Sequence, residues 1–267
     1  MEMKQLGNTG VMVPEIGIGV WRYSGGVDPL RRGVELGASL IDTAEVYGTE
    51  DVVAAAVRGI RDRVFIATKV SGAHLRHDEC CRRRKQVCAA WAPAISTSIR
   101  STGRPRTSRS GRRCARWKRW SIAWLVRYIG VSNFSTPELR AAQAAMSKYP
   151  VVCNQVLYNL NHREIERDLI PHCLSSHVTV MAYTPLDDGR LAALPRFRRN
   201  KGMQALGTVA AEVGKSPAQV ALNWCTSRPN VITIPKSNSA ARVAENCGAS
   251  GWRLSPGQVQ LLDAAFA

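Results

Sequence analysis

The sequence contains no run of about 18 consecutive apolar residues, the length that a membrane-spanning helix requires. Residues 1–10 are polar and lack the apolar core of a secretory signal peptide. No two cysteines are spaced as C-x-x-C, so neither a zinc knuckle nor a dithiol redox pair is indicated. These absences predict a chain that contacts no membrane and holds no metal, and a cytoplasmic location is the default expectation.

Acidic residues are almost missing from residues 79–124, called the basic segment below. It holds 13 Lys and Arg residues against one acidic residue, Glu79, whereas the whole chain has 37 basic and 20 acidic residues. The rest of the chain therefore has the composition of a mildly basic protein. The net charge of +17 suggests a nucleic acid or an anionic surface as a partner. Most of this excess charge lies in the basic segment, so the suggestion depends on that segment alone.

Half of the eight cysteines also lie in the basic segment. Two of these four, Cys80 and Cys81, are adjacent, which suits neither a metal site nor a redox pair. The other four are widely scattered, at Cys153, Cys173, Cys225 and Cys247. We expect buried free thiols in a reducing compartment.

Outside the basic segment, short apolar runs rich in β-branched residues alternate with amphipathic stretches. Such runs are typical of parallel strands covered on both faces. The predicted strands are Ile16–Val20, Ser39–Asp42, Val64–Lys69, Val126–Ser132, Val151–Gln155, Val178–Tyr183 and Val231–Pro235. The predicted helices are Pro29–Leu36, Glu50–Arg58, Pro137–Ser147, Glu164–Ser175 and Met203–Val213, with two more beginning after the N-caps Ser216 and Ser255.

The repeated strand–helix order predicts an α/β fold with a parallel sheet and right-handed crossovers. A chain of 267 residues suits a single (β/α)8 TIM barrel domain over residues 1–267, with its fourth strand inside the basic segment. Residues 96–113 are rich in Ser, Thr, Arg, Gly and Pro and show no helical or strand period. We interpret them as a disordered basic loop, so the region of the fourth strand is predicted to be disrupted.

Polar residues stand at or just after the ends of six predicted strands. They are Asp42 with Tyr47, Lys69, Ser132 with Asn133, Asn154 with Gln155, Tyr183, and Lys236 with Ser237. In a (β/α)8 barrel the carboxyl ends of the strands converge on one mouth, where active sites form. The sequence therefore predicts one site at this mouth.

The residue types at the mouth suit proton transfer to a carbonyl oxygen. A phenol has a reference pKa of about 10 and is a poor proton donor near neutrality. A nearby ammonium lowers that pKa, and a buried ammonium in turn needs a carboxylate partner. Asp42, Lys69 and Tyr47 would form such a relay, with Tyr47 as the general acid. Taken singly, each residue could equally belong to a buried ion pair or a core tyrosine.

Several motifs outside the basic segment occur together. They are Gly17-Ile18-Gly19-Val20-Trp21, Asp42 to Gly48 with Glu50, Thr68-Lys69, Gly130-Val131-Ser132-Asn133-Phe134, Asn154-Gln155, Ala182-Tyr183-Thr184-Pro185-Leu186, and Ile234-Pro235-Lys236-Ser237 with Arg242, Glu245 and Asn246. With these motifs the chain resembles an aldo-keto reductase, from Met3 to about Arg76 and from Val126 to the end.

The resemblance implies a TIM barrel that binds NADP(H) across its mouth and reduces a small aldehyde or ketone to an alcohol. Residues implied to bind the nicotinamide are Ser132, Asn133 and Gln155 at the carboxamide, and Tyr183 against the ring. Those implied to bind the adenosine end are Lys236, Ser237 and Arg242 at the 2′-phosphate, and Glu245 and Asn246 at the adenine. A guanidinium suits bidentate phosphate binding, which favours NADP over NAD. Alternatively, Lys236 and Arg242 are solvated surface charges.

The chain departs from the family at one catalytic position. The resemblance implies a histidine at the end of the fourth strand, in a Leu-Tyr-x-x-His-Trp pattern, and the sequence has none there. The five histidines are His74, His77, His162, His172 and His177. We interpret them as surface or loop residues. Little or no turnover is expected of a chain that lacks this histidine and the fourth strand, and open sheet edges would favour aggregation.

A change of reading frame would account for the basic segment. When the third base of each codon is read with the first two bases of the next, Ala90 to Arg104 can encode Leu-Gly-Thr-Arg-Tyr-Leu-Asp-Leu-Tyr-Pro-Ile-His-Trp-Pro. The histidine then falls across the codons of Ser101 and Thr102. Our hypothesis is that two compensating frame errors, near Glu79 and Trp124, produced the segment. Resequencing of the gene tests this hypothesis, because a clean read that encodes the segment as printed would contradict a sequencing error and leave a mutated gene.

Two other functions are compatible with the sequence. One is a non-catalytic or impaired family member that binds a nicotinamide nucleotide as a sensor or partner subunit. The other is nucleic-acid binding through the basic segment, which predicts salt-sensitive binding that is lost when residues 79–124 are deleted. The segment has no aromatic stacking pattern, so no nucleic-acid partner is favoured.

Overall fold

A computed structural model describes residues 1–71, 97–102, 127–146, 149–193 and 200–267. The strands in these residues are β1 Met3–Gln5, β2 Met12–Pro14, β3 Ile18–Gly19, β4 Leu40–Asp42, β5 Phe65–Ser71, β6 Thr97–Thr102, β7 Tyr128–Ser132, β8 Val151–Leu157, β9 Thr179–Tyr183 and β10 Val231–Thr233. The α-helices are α1 Asp28–Glu35, α2 Glu50–Ala56, α3 Thr136–Ala145, α4 Leu169–Ser175, α5 Lys201–Glu212, α6 Pro217–Thr226, α7 Ala240–Cys247 and α8 Pro256–Ala265.

Strands β3 to β10 form one eight-stranded parallel sheet in chain order. The sheet closes on itself next to β3, where Ile16 pairs in parallel with Thr233 of β10. Backbone hydrogen bonds complete the closure, because Gly17 N donates to Thr233 O and Thr233 N donates to Glu15 O, both at 2.8 Å. The predicted TIM barrel is confirmed.

The fourth barrel strand is present, contrary to the expectation of a disrupted region. Strand β6 pairs in parallel with β5, from Thr97 opposite Ile66 to Thr102 opposite Ser71. On its other side β6 pairs with β7, where Ile99 lies opposite Ile129. The open sheet edges expected from a missing fourth strand are therefore closed at this position.

Strand β6 forms because the strands on either side of it need hydrogen-bond partners. Strands β5 and β7 would each leave a row of backbone donors and acceptors unpaired, and any extended segment can satisfy them. Thr97, Ile99 and Thr102 are β-branched and favour an extended backbone. The interpretation of residues 96–113 as a structureless loop is wrong for 97–102. The remainder of the basic segment, with its four cysteines, lies outside the described residues.

The other predicted elements are confirmed with changes at their ends. The predicted helix Glu164–Ser175 is interrupted: a 3-10 turn at Glu164–Glu166 is followed by α4. The break occurs at Asp168, whose φ of −141° is not helical and whose carboxylate accepts a hydrogen bond from Thr136 at 2.8 Å. Both capping boxes, at Ser216 and Ser255, form as expected.

The free thiols predicted outside the basic segment are confirmed. Cys173, Cys225 and Cys247 are buried and free, and Cys153 is a buried thiol outside any disulfide. Burial raises the pKa of Cys173 and of Cys225 to about 12 and that of Cys247 to about 11. Such thiols stay protonated near neutrality and react slowly.

None of the helices in the described ranges is long and apolar enough to cross a membrane.

The β1–β2 hairpin covers the end of the barrel opposite the mouth. Lys4 Nζ donates hydrogen bonds to the carbonyl oxygens of Arg228 and Val231, both at 2.8 Å, and also to that of Thr226. Its charge faces Glu15, which is 0% exposed and accepts a hydrogen bond from Arg253 Nη2 at 2.7 Å. The hairpin is thus held by buried polar contacts to the segment that enters β10.

We expect Lys4→Met to lower the free energy of unfolding by about 2–3 kcal/mol, because three carbonyl acceptors lose their donor and the buried Glu15 loses a nearby cation. Urea unfolding at neutral pH measures the change. Lys201→Met, at the exposed first position of α5, is the matched control and should change stability by less than about 0.5 kcal/mol. Equal unfolding midpoints for the two variants would contradict this view of the hairpin.

Candidate active site

A buried ion pair lies at the carboxyl ends of β4 and β5. Lys69 Nζ is 2.6 Å from Asp42 Oδ2 and donates a second hydrogen bond to Thr43 O at 2.9 Å. Asp42 is 3% exposed and Lys69 is 2% exposed. Both charges have left water, so each depends on its polar partners. Strand β5 continues to Ser71, two residues further than predicted.

Tyr47 lies directly above this pair, at the end of a 3-10 turn, Glu45–Tyr47, that follows β4. The turn is ended by Gly48, whose φ of +65° is left-handed and suits glycine. Lys69 Nζ is 4.7 Å from the centroid of the Tyr47 ring. The edge-to-face partner of that ring is Trp21, with 4.8 Å between the centroids. The three residues predicted to form a relay are therefore brought together.

Gln155 of β8 joins the ion pair from across the barrel. Its Nε2 donates to Asp42 Oδ1 at 2.9 Å and contacts Met181 Sδ at 3.1 Å. Both oxygens of Asp42 are thus engaged, one by the ammonium and one by the amide. The sequence did not indicate this contact of Gln155, and Met181 carried no signal because it lies in an uninterrupted apolar strand. The binding of a carboxamide by Gln155 stays a prediction.

The ends of β7 and β9 meet beside Gln155. Ser132 Oγ donates to Gln155 O at 3.1 Å, and Asn133 N donates to the same oxygen at 2.8 Å. Asn133 has a φ of +58°, which turns the chain sharply at the end of β7. Burial raises the pKa of the half-buried Tyr183 phenol, and a hydrogen bond with the Asn133 side chain opposes that rise. This corner therefore presents an amide and an aromatic ring.

Asn154 is placed differently from the other polar residues at the strand ends. It is fully buried, its Nδ2 donates to Phe134 O at 2.9 Å, and its Oδ1 accepts from Phe134 N at 3.4 Å. Its amide binds the backbone of the turn after β7, so Asn154 stabilises the shape of the mouth.

Glu50, at the start of α2, adds a carboxyl group behind the relay. Burial raises the pKa of Glu50, whereas a hydrogen bond from Thr68 Oγ1 to its Oε1 at 3.0 Å acts in the opposite direction. The turn between Asp42 and α2 is also fastened by a 3.0 Å contact between the hydroxyls of Thr43 and Thr49. Thr43 is a contributor that the sequence analysis missed, although its place after Asp42 was a signal.

A second group of predicted residues lies on the loop after β10 and on α7. Lys236 and Arg242 are exposed, Ser237 and Asn246 are buried, and Glu245 is intermediate. Ser237 Oγ accepts from Ser239 N at 3.1 Å, which shapes the turn into α7. Neither Lys236 nor Arg242 forms an ion pair with a carboxylate of the described residues.

This loop is connected to the segment after β3. Asn238 Nδ2 donates to Ser24 Oγ at 2.9 Å, and Asn238 Oδ1 accepts from Ser24 N at 3.1 Å. Neither residue was predicted. The donor chemistry fits a phosphate, because two exposed cations and a hydroxyl lie at the start of a helix. An NADP-type cofactor would thus meet suitable groups at both ends, with cations on the loop after β10 and an amide with a ring at β7–β9.

The histidines of the described residues lie away from the relay. His162 is in the loop after β8, with Nδ1 3.1 Å from Asn159 Oδ1, and His172 on α4 has Nε2 3.1 Å from Gln143 Oε1. His177 is a loop residue before β9 with a φ of +53°. His74 and His77 lie outside the described residues. The fourth strand β6 contains no histidine in its sequence.

Removal of the carboxylate should show how strongly the site depends on the ion pair. We expect Asp42→Asn to lower the free energy of unfolding by about 3–5 kcal/mol, because the buried ammonium loses its counter-charge. Chemical unfolding at neutral pH provides the measurement. The control Asp62→Asn, at an exposed position, should stay within about 0.5 kcal/mol of the unchanged chain. A loss for Asp42→Asn no greater than that of the control would mean that the pair is not an essential contact.

The sequence model of the Aldo/keto reductase family matches residues 15–91 and 125–267. Methylglyoxal reductase YeaE of Escherichia coli strain K12 is 32% identical over 282 residues, covering 100% of this chain and 96% of that protein. Among solved structures, the thermostable aldo-keto reductase Tm1743 in complex with the inhibitor epalrestat is 30% identical, with a TM-score of 0.87 and 99% and 100% coverage. An aldo-keto reductase from Klebsiella pneumoniae in complex with NADPH is 29% identical, with a TM-score of 0.85 and 100% and 96% coverage.

Proposed function

Because the chain belongs to the aldo-keto reductase family, we propose that it reduces an aldehyde or ketone to an alcohol with NADPH and that Tyr47 is the general acid. The observation that carries the proposal is the stack of Tyr47 on the Lys69 ammonium, 4.7 Å from the ring centroid, with Lys69 bound in turn to Asp42. A cation beside the ring of a phenol supports its use as a proton donor.

The proton-transfer role follows from charge. A cation next to the phenol ring favours the phenolate, so a proton leaves Tyr47 for a carbonyl oxygen more easily than from a free phenol. Asp42 keeps Lys69 in place by direct contact, and Gln155 keeps Asp42 in place from the opposite wall. When bound, NADPH supplies the hydride.

The cofactor assignment is supported by two observations. The Klebsiella pneumoniae relative was solved with NADPH, and the cationic loop after β10 suits a phosphate ester on the cofactor's adenosine. Lys236, Ser237 and Arg242 would hold that phosphate, with Glu245 and Asn246 at the adenine. Ser132, Asn133 and Gln155 would hold the carboxamide, and Tyr183 would pack on the nicotinamide ring. The methylglyoxal reductase of Escherichia coli supports a small carbonyl compound as substrate.

Substitution of the proton donor tests the proposal. We expect Tyr47→Phe to lower kcat for the reduction of a generic aldehyde by about 100-fold or more, because the hydroxyl is the acid. The rate is measured as NADPH oxidation. Thermal stabilisation by NADP should be the same in both proteins, since the hydroxyl takes no part in cofactor binding. Unchanged turnover in Tyr47→Phe would refute the assignment of the acid.

A second candidate is a family member that binds the nucleotide but turns over slowly or not at all. It is favoured by one specific observation, the absence of a histidine from β6. Stabilisation by NADP without detectable turnover of any aldehyde would support it. Both candidates bind the cofactor at the same site. They differ in whether the chain turns over a carbonyl substrate.

We expect turnover to rise when residues 79–124 are replaced by the alternative-frame translation of their own codons. With third bases that the genetic code permits, that translation has a histidine across the positions of Ser101 and Thr102, at the end of β6. The gain should be about 100-fold in kcat, the usual contribution of a positioned acid–base group. A third protein, with the same replacement but glutamine at the new histidine position, separates the imidazole from improved folding. Equal rates for the histidine and glutamine versions would count against the frame-error explanation of low activity.

A further inference from the structure

Arg22 has an unusual backbone at the rim of the mouth. Its φ of +51° lies in the left-handed region, which a residue with a long side chain rarely adopts. The following residues hold it there. Tyr23 donates from its hydroxyl to Gly26 O at 2.8 Å, and Ser24 is fastened to Asn238 on the loop after β10. The strained conformation is therefore imposed by an anchored loop.

This conformation directs the Arg22 guanidinium over the neighbouring indole. Its Cζ is 5.6 Å from the centroid of the Trp21 ring, and Trp21 packs edge-to-face on Tyr47. One aromatic ring thus separates the Arg22 cation from the proposed proton donor. Arg22 forms no ion pair with a carboxylate of the described residues, whereas the other cation at this site, Lys69, is neutralised by Asp42.

Apolar side chains beside the phenol are open to solvent. Trp21 is 51% exposed and Val46, next to Tyr47, is 57% exposed. A molecule whose carbonyl group reaches Tyr47 would lay its body on these two side chains and end beside Arg22. A carboxylate at that end would meet the Arg22 guanidinium where it already lies over Trp21, in a geometry that suits bidentate binding.

We infer that Arg22 is a specificity-determining residue, which favours carbonyl substrates that carry a carboxylate group at the end distant from the reacting carbon. The inference rests on the proposed function, since it takes Tyr47 as the point where the carbonyl binds. It adds a substrate class, the anionic aldehydes and ketones, and a residue that selects them.

Two probes of the same shape test the charge preference. They are 4-carboxybenzaldehyde and its neutral analogue, 4-formylbenzamide. Binding of each to the protein in saturating NADP is measured by calorimetry, so the result does not depend on turnover. We expect the carboxylate to bind about fivefold more tightly, a preference that shrinks with added salt. In Arg22→Gln the ratio should fall to about one, whereas Arg22→Lys should keep part of it.

Arg140→Gln removes the same charge from the exposed surface of α3 and should keep the full ratio. Equal affinities for the two probes in the unchanged chain, no binding of either, or a ratio that survives in Arg22→Gln would each overturn the inference. Arg22 could instead meet a phosphate of the cofactor. A loss of NADPH affinity in Arg22→Gln with the probe ratio intact would assign it to the cofactor and overturn its role in substrate choice.

Turnover of the two aldehydes tests the proposed function separately. If neither is reduced although the binding ratio depends on Arg22, the reductase proposal fails and only the binding of an anion beside Arg22 stands. If both are reduced at rates that ignore the charge, and the binding ratio is also one, the reductase proposal stands and the inference fails.

Discussion

The contact between Asp42 and Lys69 is the constraint on which the rest of the mouth depends. Two opposite charges removed from water at the ends of adjacent strands must stay paired, because either one alone would cost several kcal/mol. The pair fixes the register of β4 against β5, since a slip by one residue would turn one of the two side chains to the other face of the sheet. Gln155 extends the constraint to β8 on the opposite wall. Tyr47 then has a defined cation to rest on, and its position follows from that of the pair.

The far end of the barrel follows the same rule with different groups. Glu15 is a buried carboxylate between Lys4 and Arg253, and these contacts tie the β1–β2 hairpin to the segments around β10. The next residue, Ile16, takes part in the closure of the barrel through its pairing with Thr233. Each end of the barrel is therefore organised by a buried acid with a cationic partner. The apolar layers between the ends supply most of the burial, and the charges determine which strands meet.

The sequence predicted the parts that depend on local pattern. Apolar runs located seven of the eight barrel strands, and the position of Asp42, Lys69 and Tyr183 at their ends placed them at one mouth. It could not predict contacts that depend on the width of the barrel, such as Gln155 with Asp42, which lie 113 positions apart in the chain. The left-handed backbone of Arg22 could not be predicted from the sequence either, because the residue that anchors its loop, Asn238, is remote in the chain. Strand β6 escaped detection for the same reason: its conformation is determined by its neighbours.

Strand β6 also shows why this fold and its chemistry respond differently to a change of sequence. A barrel strand is held by backbone hydrogen bonds on both sides, and almost any residue offers the same donor and acceptor. Residues 97–102 can therefore occupy the fourth position with a composition unlike that of the other strands. Acid–base chemistry has no such tolerance, because a serine or threonine hydroxyl does not titrate near neutrality as an imidazole does. The family match stops at residue 91 and resumes at 125, while the barrel remains closed across the gap. The chain thus keeps its barrel scaffold across a segment that departs from the family sequence.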